Sequence, residues 1–289
     1  AYRLPRPARH QHGPNAADDM STAAALNAPT VRTERIGHAL VVTLQRAPVN
    51  AINDELLAQL DAALDEAEAD ESIAVLHVRS ALKVFCGGAD LELIRSSTAT
   101  PQGRNRMVAI VQDMQRVFAR LENAPCVTIA ELGGAAVGGG FELALACDWR
   151  IAAHEARIGL PEASLGLLAA GGGTQRLTHL VGPGVARRLI LGAETVDGRE
   201  AERLGLVQWA VPRAQLTEAA GALAQRCAAN PRTTLAENKR CIALASAPHG
   251  DGYAAEIAAT RRLYENPETR RRVSAFLDKS AIHSSKEKP

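Results

Sequence analysis

A run of three glycines joins a buried strand to an apolar helix, and this turn constrains the fold more than any other feature of the chain. The stretch "GGGFELALACD" (138–148) follows the apolar segment "CVTIAEL" (126–132), and Glu142 falls in the first helical turn. Glycine lets a ligand approach the backbone without a Cβ in the way. Unpaired N–H groups at a helix start favour a negatively charged oxygen. The turn is therefore a candidate oxyanion site with an acid beside it.

Two phosphate-binding glycine motifs do not fit this turn. A dinucleotide-binding turn needs G-x-G-x-x-G. Counting from Gly138 places Leu143 at the sixth position, and counting from Gly134 places Ala136 at the third. A P-loop would need Lys followed by Ser or Thr after the glycines, and neither pair is present. A phosphate cradle is thus disfavoured.

The stretch "FCGGAD" (85–90) is a second glycine turn between a strand and a helix. Two such turns could each offer one backbone N–H to the same carbonyl oxygen. That arrangement stabilises an enolate, because negative charge builds on its oxygen in the transition state.

Hydrophobic periodicity predicts an α/β core followed by a helical region. After Asn53, apolar residues recur at helical spacing, and a second helix is predicted at about 103–122. The predicted strands are 38–47, 72–80, 126–132, 149–153 and 206–211. We expect residues 1–29 to be a disordered extension, with an over-long start ahead of Met20 as the simplest explanation. Residues 30–211 would form the core and residues 212–289 a helical C-terminal region.

Composition excludes several classes of partner. The chain has 289 residues, a net charge of +1 and 3% aromatic residues, so nucleic-acid binding is disfavoured. No apolar run approaches the roughly 20 residues of a membrane span. The eight histidines form no HExxH cluster, and no metal or redox cofactor is predicted. Five scattered cysteines indicate a reducing compartment, the cytoplasm, or an organelle matrix if the N-terminal extension is a transit peptide.

Together these residues resemble the enoyl-CoA hydratase/isomerase family, also called the crotonase family. "FCGGADLELI" is similar to its first oxyanion turn and "AAVGGGFELALACDWRIAA" to its second. "RAPVNAIN", "IGLPEASLGLLAAGGGTQRL" and "AERLGLVQWAV" match further family segments in the expected order. The resemblance runs from about Val31 to Lys279 and implies a spiral of ββα units. It also implies a C-terminal helical region that builds trimers or hexamers, and a coenzyme A thioester as substrate.

The resemblance also assigns site residues. Ala89 and Gly139 match the positions whose backbone N–H groups hold the thioester oxygen, and Glu142 and Glu162 match the catalytic glutamates. For coenzyme A, the matching positions are Lys83, Asp90, Leu91, Phe276 and Lys279, the last two acting on a neighbouring subunit. Ala169 and Ala170 replace a family proline and glycine beside the acyl end of the pocket, and Glu92 stands where hydratases often have lysine.

The two glutamates favour hydration of a trans-2-enoyl-CoA to a 3-hydroxyacyl-CoA, in fatty-acid or related acyl-CoA degradation. Hydration must activate a water as well as move a proton, so a second carboxylate suits it. Dedicated isomerases of the family commonly lack an acid at the position of Glu142. The alternatives are a Δ3,Δ2-enoyl-CoA isomerase, a branched-chain hydratase of the methylglutaconyl-CoA type, and a non-catalytic acyl-CoA-binding or RNA-binding relative.

Overall fold

The computed structural model describes residues 29–245 and 251–275. The predicted N-terminal extension up to residue 28 lies outside the described residues, as do Phe276 and Lys279. The division into an extension, a core and a C-terminal region stays a prediction.

A six-stranded sheet forms the centre of the molecule, with strand order β1-β2-β3-β4-β6-β9. Its strands are β1 (Val31–Ile36), β2 (Ala39–Leu44), β3 (Val75–Ser80), β4 (Val127–Leu132), β6 (Trp149–Ala153) and β9 (Trp209–Val211). β1 runs antiparallel to β2, and the remaining neighbours are parallel. A smaller sheet holds β5 (Ala136–Val137), β7 (Ile158–Gly159) and β8 (Thr195–Val196).

Helices connect and cover these strands. In chain order they are α1 (Asp54–Ala69), α2 (Leu91–Ser97), α3 (Pro101–Asn123), α4 (Gly139–Leu145), α5 (Gly173–Leu191), α6 (Gly198–Arg203), α7 (Leu216–Ala228), α8 (Arg232–Leu244) and α9 (Gly252–Glu265). Residues 267–275 are also helical. Short 3₁₀ turns span Pro161–Leu165 and Arg213–Gln215. The predicted α/β class is therefore confirmed, and the elements after β9 are helical.

Helix α1 shows why the sequence forms these elements. The Asn53 side chain accepts a hydrogen bond from the Leu56 amide, which caps the first turn. The apolar face that follows is buried against the sheet, with Leu57, Leu60 and Leu64 fully enclosed. On the other side of the sheet, α7 packs against β2, β3, β4 and β6. The sheet is thus covered on both faces, as a mostly parallel sheet requires.

The sequence did not predict β1 or the three strands of the smaller sheet. In β1 only Val31 is buried and the five other residues are exposed, so the strand lacks the alternation that marks a half-buried strand. Strands β5, β7 and β8 have two residues each, which is too short for any periodicity. The small sheet is nevertheless the part of the fold that assembles the site.

Candidate active site

Backbone hydrogen bonds hold the two glycine turns side by side. Strand β5 leads into the second turn and lies between the first turn and β7: the Val137 amide donates to the Cys86 carbonyl at 3.2 Å, and the Gly138 amide donates to the Gly159 carbonyl at 3.0 Å. Gly159 ends β7, three residues before Glu162. Three distant chain segments therefore meet at one short ladder, and each carries a predicted site residue.

The segment around Asn50 supports the first turn from the other side. The Asn50 side-chain amide donates to the Phe85 carbonyl at 2.8 Å, and the Ile52 amide donates to the Gly88 carbonyl at 2.8 Å. Ile52 also forms a parallel bridge with Ala89. These contacts fix the path of residues 85–90, so the amide of Ala89 has a defined position.

The predicted oxyanion amides, those of Ala89 and Gly139, lie close to each other. Gly88 has φ +93°, and a Cβ on it would stand 3.2 Å from the Gly139 nitrogen. A Cβ on Gly139 would stand 3.5 Å from the Ala89 nitrogen. Among the described residues, neither amide donates a hydrogen bond. Two adjacent N–H groups are thus open toward the same region, which suits an oxygen that gains negative charge.

Glu142 is buried one turn into α4, with 2% of its surface exposed. Its Oε1 accepts a hydrogen bond from the Gly173 amide at 2.7 Å. Burial raises the pKa of this carboxyl to about 7, although hydrogen bonds from Gly173 and Gly171 act against the rise. The negative charge of Glu162, which lines the same cavity, raises the pKa of Glu142 further.

Glu162 lies in the 3₁₀ turn that follows β7. Burial raises the pKa of this carboxyl too. Its Oε2 is buried and has no hydrogen-bond partner among the described residues. Its Oε1 would be 3.0 Å from a Cβ at Gly138, so the carboxyl faces the start of α4. The structure therefore brings Glu142, Glu162 and both amides together.

The loop before α5 positions Glu142, and sequence reasoning had assigned no role to its anchors. Gln115 donates to the Ala170 carbonyl at 2.7 Å, and Arg176 donates to the Gly171 carbonyl at 3.0 Å. Arg176 also pairs with Glu122 at 2.8 Å. The sequence signal that points to this loop is the glycine run in "AAGGGTQRL". A Cβ at Gly171 would lie 2.7 Å from Glu142 Oε2, so the loop can approach the carboxylate only without a side chain there.

The two glutamates and the two open amides, those of Ala89 and Gly139, line one part of a cavity of about 600 Å³. Its other walls come from α2, α3 and residues 161–171, and they are largely apolar; they include Leu93, Ile94, Met107, Val111 and Leu168. Such a pocket fits an acyl chain, with the reacting carbonyl held at the polar end.

The predicted coenzyme A residues are placed differently from one another. Asp90 and Leu91 line the cavity. The Asp90 carboxylate caps α2 at the Leu93 amide and pairs with Arg46 at 2.9 Å. Burial opposes ionisation, but these contacts lower the pKa of Asp90 below its ordinary value. Lys83 is exposed and is not among the residues that line the cavity.

Metal sites, membrane spans and cysteine pairing can be examined in the described residues. These contain no cluster of three or more His, Cys, Asp or Glu side chains that could hold a metal ion. Within the same ranges, no helix has the length and apolar character needed to cross a membrane. All five cysteines are unpaired, and four of them are buried.

A buried and a half-buried carboxylate, with two open amides around an apolar cavity, define a site for acid–base chemistry on a carbonyl compound. The comparisons with known proteins agree with this class. The family model described as enoyl-CoA hydratase/isomerase matches residues 35–285. The chain belongs to the enoyl-CoA hydratase/isomerase family, and its fold is the crotonase fold.

Individual relatives support the same family. The chain is 34% identical over 256 residues to the short-chain-enoyl-CoA hydratase of Clostridium acetobutylicum, covering 88% of this chain and 96% of that protein. It is 38% identical over 175 residues to the mitochondrial methylglutaconyl-CoA hydratase of Mus musculus, covering 59% and 53%. The crystal structure of enoyl-CoA hydratase from Bacillus anthracis superposes with a TM-score of 0.80 at 30% identity, covering 86% and 96% of the two chains.

Proposed function

We propose that this protein is an enoyl-CoA hydratase that adds water to a trans-2-enoyl-CoA and gives a 3-hydroxyacyl-CoA. The observation that carries the proposal is the pair of carboxylates, the buried Glu142 and the half-buried Glu162, beside the two open amides in one cavity. Double-bond isomerisation only shuttles a proton and can proceed with one acid–base group. Hydration must also position and deprotonate a water, so it has use for the second.

In the proposed mechanism, both glutamates hold the water. Glu142 takes a proton from it while the oxygen forms a bond to the β-carbon. The resulting enolate oxygen is stabilised by the amides of Ala89 and Gly139, and Glu162 delivers a proton to the α-carbon. Loss of one oxyanion donor typically costs about 3 to 4 kcal/mol of transition-state stabilisation.

The raised pKa values suit this division of labour. Burial raises the pKa of both carboxyls, and the charge of Glu162 raises the pKa of Glu142 further. A pKa of about 7 leaves part of Glu142 ionised near neutral pH, as a base toward water must be, and a raised pKa suits Glu162 as a proton donor. Such a pair supplies one base and one acid, and its titration belongs to both groups together.

The wider proposal includes the substrate carrier, the assembly and the compartment. Lys83, Asp90 and Leu91 are proposed to contact coenzyme A, together with Phe276 and Lys279 beyond the described residues. We propose a trimer or hexamer built by the C-terminal helices. A cytoplasmic enzyme of fatty-acid or related acyl-CoA degradation is consistent with five unpaired cysteines.

A panel of enoyl-CoA thioesters tests the proposal. We expect purified protein to consume crotonyl-CoA or a longer trans-2 homologue without added metal, with loss of the conjugated absorbance. The 3-hydroxyacyl-CoA product is identified by mass spectrometry. Conversion of a 3-enoyl-CoA with inertness toward every trans-2-enoyl-CoA would make the protein an isomerase.

A further inference from the structure

The charges that line the cavity are all negative. Among the described residues, its lining contains three carboxylates, those of Asp90, Glu142 and Glu162, and no lysine, arginine or histidine. The side chains away from the glutamates are mostly aliphatic, with a few uncharged polar groups such as Gln112. The acyl end of the pocket therefore offers no positive charge to an anionic group.

Arginines lie near the cavity, but each is already engaged. Arg46 pairs with Asp90 at 2.9 Å, Arg106 pairs with Asp54 at 3.0 Å, and Arg104 donates to the Thr98 carbonyl at 3.0 Å. Turning one of them inward would break its contact. Moving Arg46 would also leave the partly buried Asp90 carboxylate without its cation.

Part of the rim of the cavity is open to water. Leu168 and Val108 line it, and they are 67% and 58% exposed. A long acyl chain could therefore reach solvent past these residues, whereas the end of a short chain stays inside the apolar part. The position of a charged group along the acyl chain therefore decides whether that group must lose its bound water when the substrate binds.

Resting on the proposed function, we infer that the protein selects thioesters with an uncharged, hydrocarbon acyl chain and rejects short acyl chains that end in a carboxylate. A terminal carboxylate of a short substrate enters a largely apolar pocket whose described lining offers it no cation. It also meets the charge on the glutamate pair, which repels it. Both effects oppose binding, since a buried anion needs pairing or hydrogen bonds.

The test compares kcat/KM for two substrates of equal carbon number, trans-2-hexenoyl-CoA and its ω-carboxylate analogue trans-2-hexenedioyl-CoA. We expect the dicarboxylate to be slower by roughly 10²-fold, the scale of an unsatisfied buried charge. The same comparison with the dodecenoyl pair should give a smaller ratio, because the longer chain carries its carboxylate to the open rim. A methyl branch is tested separately by pairing 3-methylglutaconyl-CoA with neutral 3-methylpent-2-enoyl-CoA.

A matched pair of variants tests the cause. Gln112→Lys adds a cation to the cavity lining from an exposed position on α3, and Ala109→Lys adds the same charge to an exposed position of that helix outside the lining. We expect only Gln112→Lys to bring the kcat/KM values for the hexenoyl and hexenedioyl substrates closer together. A lysine that simply attracts coenzyme A raises both values alike, so that effect cancels in their ratio.

The outcomes separate the inference from the function on which it rests. Equal kcat/KM for the two hexenoyl substrates, or equal effects of the two lysine variants, would overturn the inference and leave the hydratase proposal standing. Failure to hydrate any neutral trans-2-enoyl-CoA would overturn both.

Discussion

Replacing Glu142 with glutamine should make the protein more stable, and the gain should depend on pH. Burial raises the pKa of this carboxyl from 4.5 to about 7. The folded protein therefore holds a proton on Glu142 that the unfolded chain has already released. Since the unfolded state binds fewer protons in this window, stability falls as the pH rises from 4.5 toward 7.

The magnitude follows from the size of the shift. A rise from 4.5 to about 7 corresponds to about 3 kcal/mol of lost stability above neutral pH, at about 1.4 kcal/mol for each pH unit. Glutamine has a similar volume and cannot ionise, and its carbonyl oxygen can still accept the hydrogen bond from the Gly173 amide. We expect Glu142→Gln to match the parent protein at about pH 4.5 and to exceed it by about 3 kcal/mol at about pH 8.

Urea unfolding followed by tryptophan fluorescence, at a fixed protein concentration across the pH range, measures this difference. The matched control is Glu66→Gln, which removes the same charge from an exposed position on α1. Its effect on the free energy of unfolding should vary little with pH. A Glu142→Gln difference that is independent of pH, or a loss of stability at alkaline pH, would refute the claim that burial holds this carboxyl at a raised pKa.

Three further predictions concern catalysis and assembly. Glu142→Gln should lower hydration by roughly 10² to 10⁴, the usual scale for general acid–base loss, but α-proton exchange of a bound saturated thioester with D₂O should survive better. Glu162→Gln should abolish both hydration and α-proton exchange. Full hydration activity in Glu142→Gln would contradict the assigned roles. Gly88→Ala should lower kcat by about 10²-fold or more, since its Cβ would lie 2.9 Å from the Val137 carbonyl and disturb the oxyanion amides. Gly37→Ala has a similarly positive φ but no atom within 4 Å, so its kcat should stay near that of the parent. Light scattering should give a trimer or hexamer, and a monomer would count against the proposed role of the C-terminal helices.

Much of the sheet and helix framework was predictable, because its elements are long and carry a clear period. Helix α1 has an Asn53 cap and a buried face at the predicted leucines. Strands β2, β3, β4 and β6 fall within or on their predicted ranges, whereas β9 covers only the end of 206–211. Residues 206–208 still belong to the bend after α6, and only Trp209–Val211 pair with β6.

Part of the candidate site could be picked out from the sequence, but the arrangement of its residues could not. Glycine runs and a lone acid in an apolar helix marked the amides and Glu142 in the sequence. The contact from the Gly173 amide to Glu142 spans 31 residues and that from Gln115 to the Ala170 carbonyl spans 55, so no local pattern encodes either contact. The charge balance of the cavity emerges only when α2, α3 and residues 161–171 are brought together.

The short ladder through β5 separates the residues that hold the reacting groups from the residues that shape the acyl pocket. Hydrogen bonds at Cys86, Gly138 and Gly159 hold the reacting groups, whereas the acyl walls come from α2, α3 and residues 164–168. Substitutions in those walls can reshape the cavity without passing through the backbone contacts of the ladder. Directed evolution toward a new acyl group should therefore accumulate changes in the walls first, while the ladder tolerates few. The same separation gives a design rule: a different substrate preference is introduced by changing the walls, and the ladder is left unchanged.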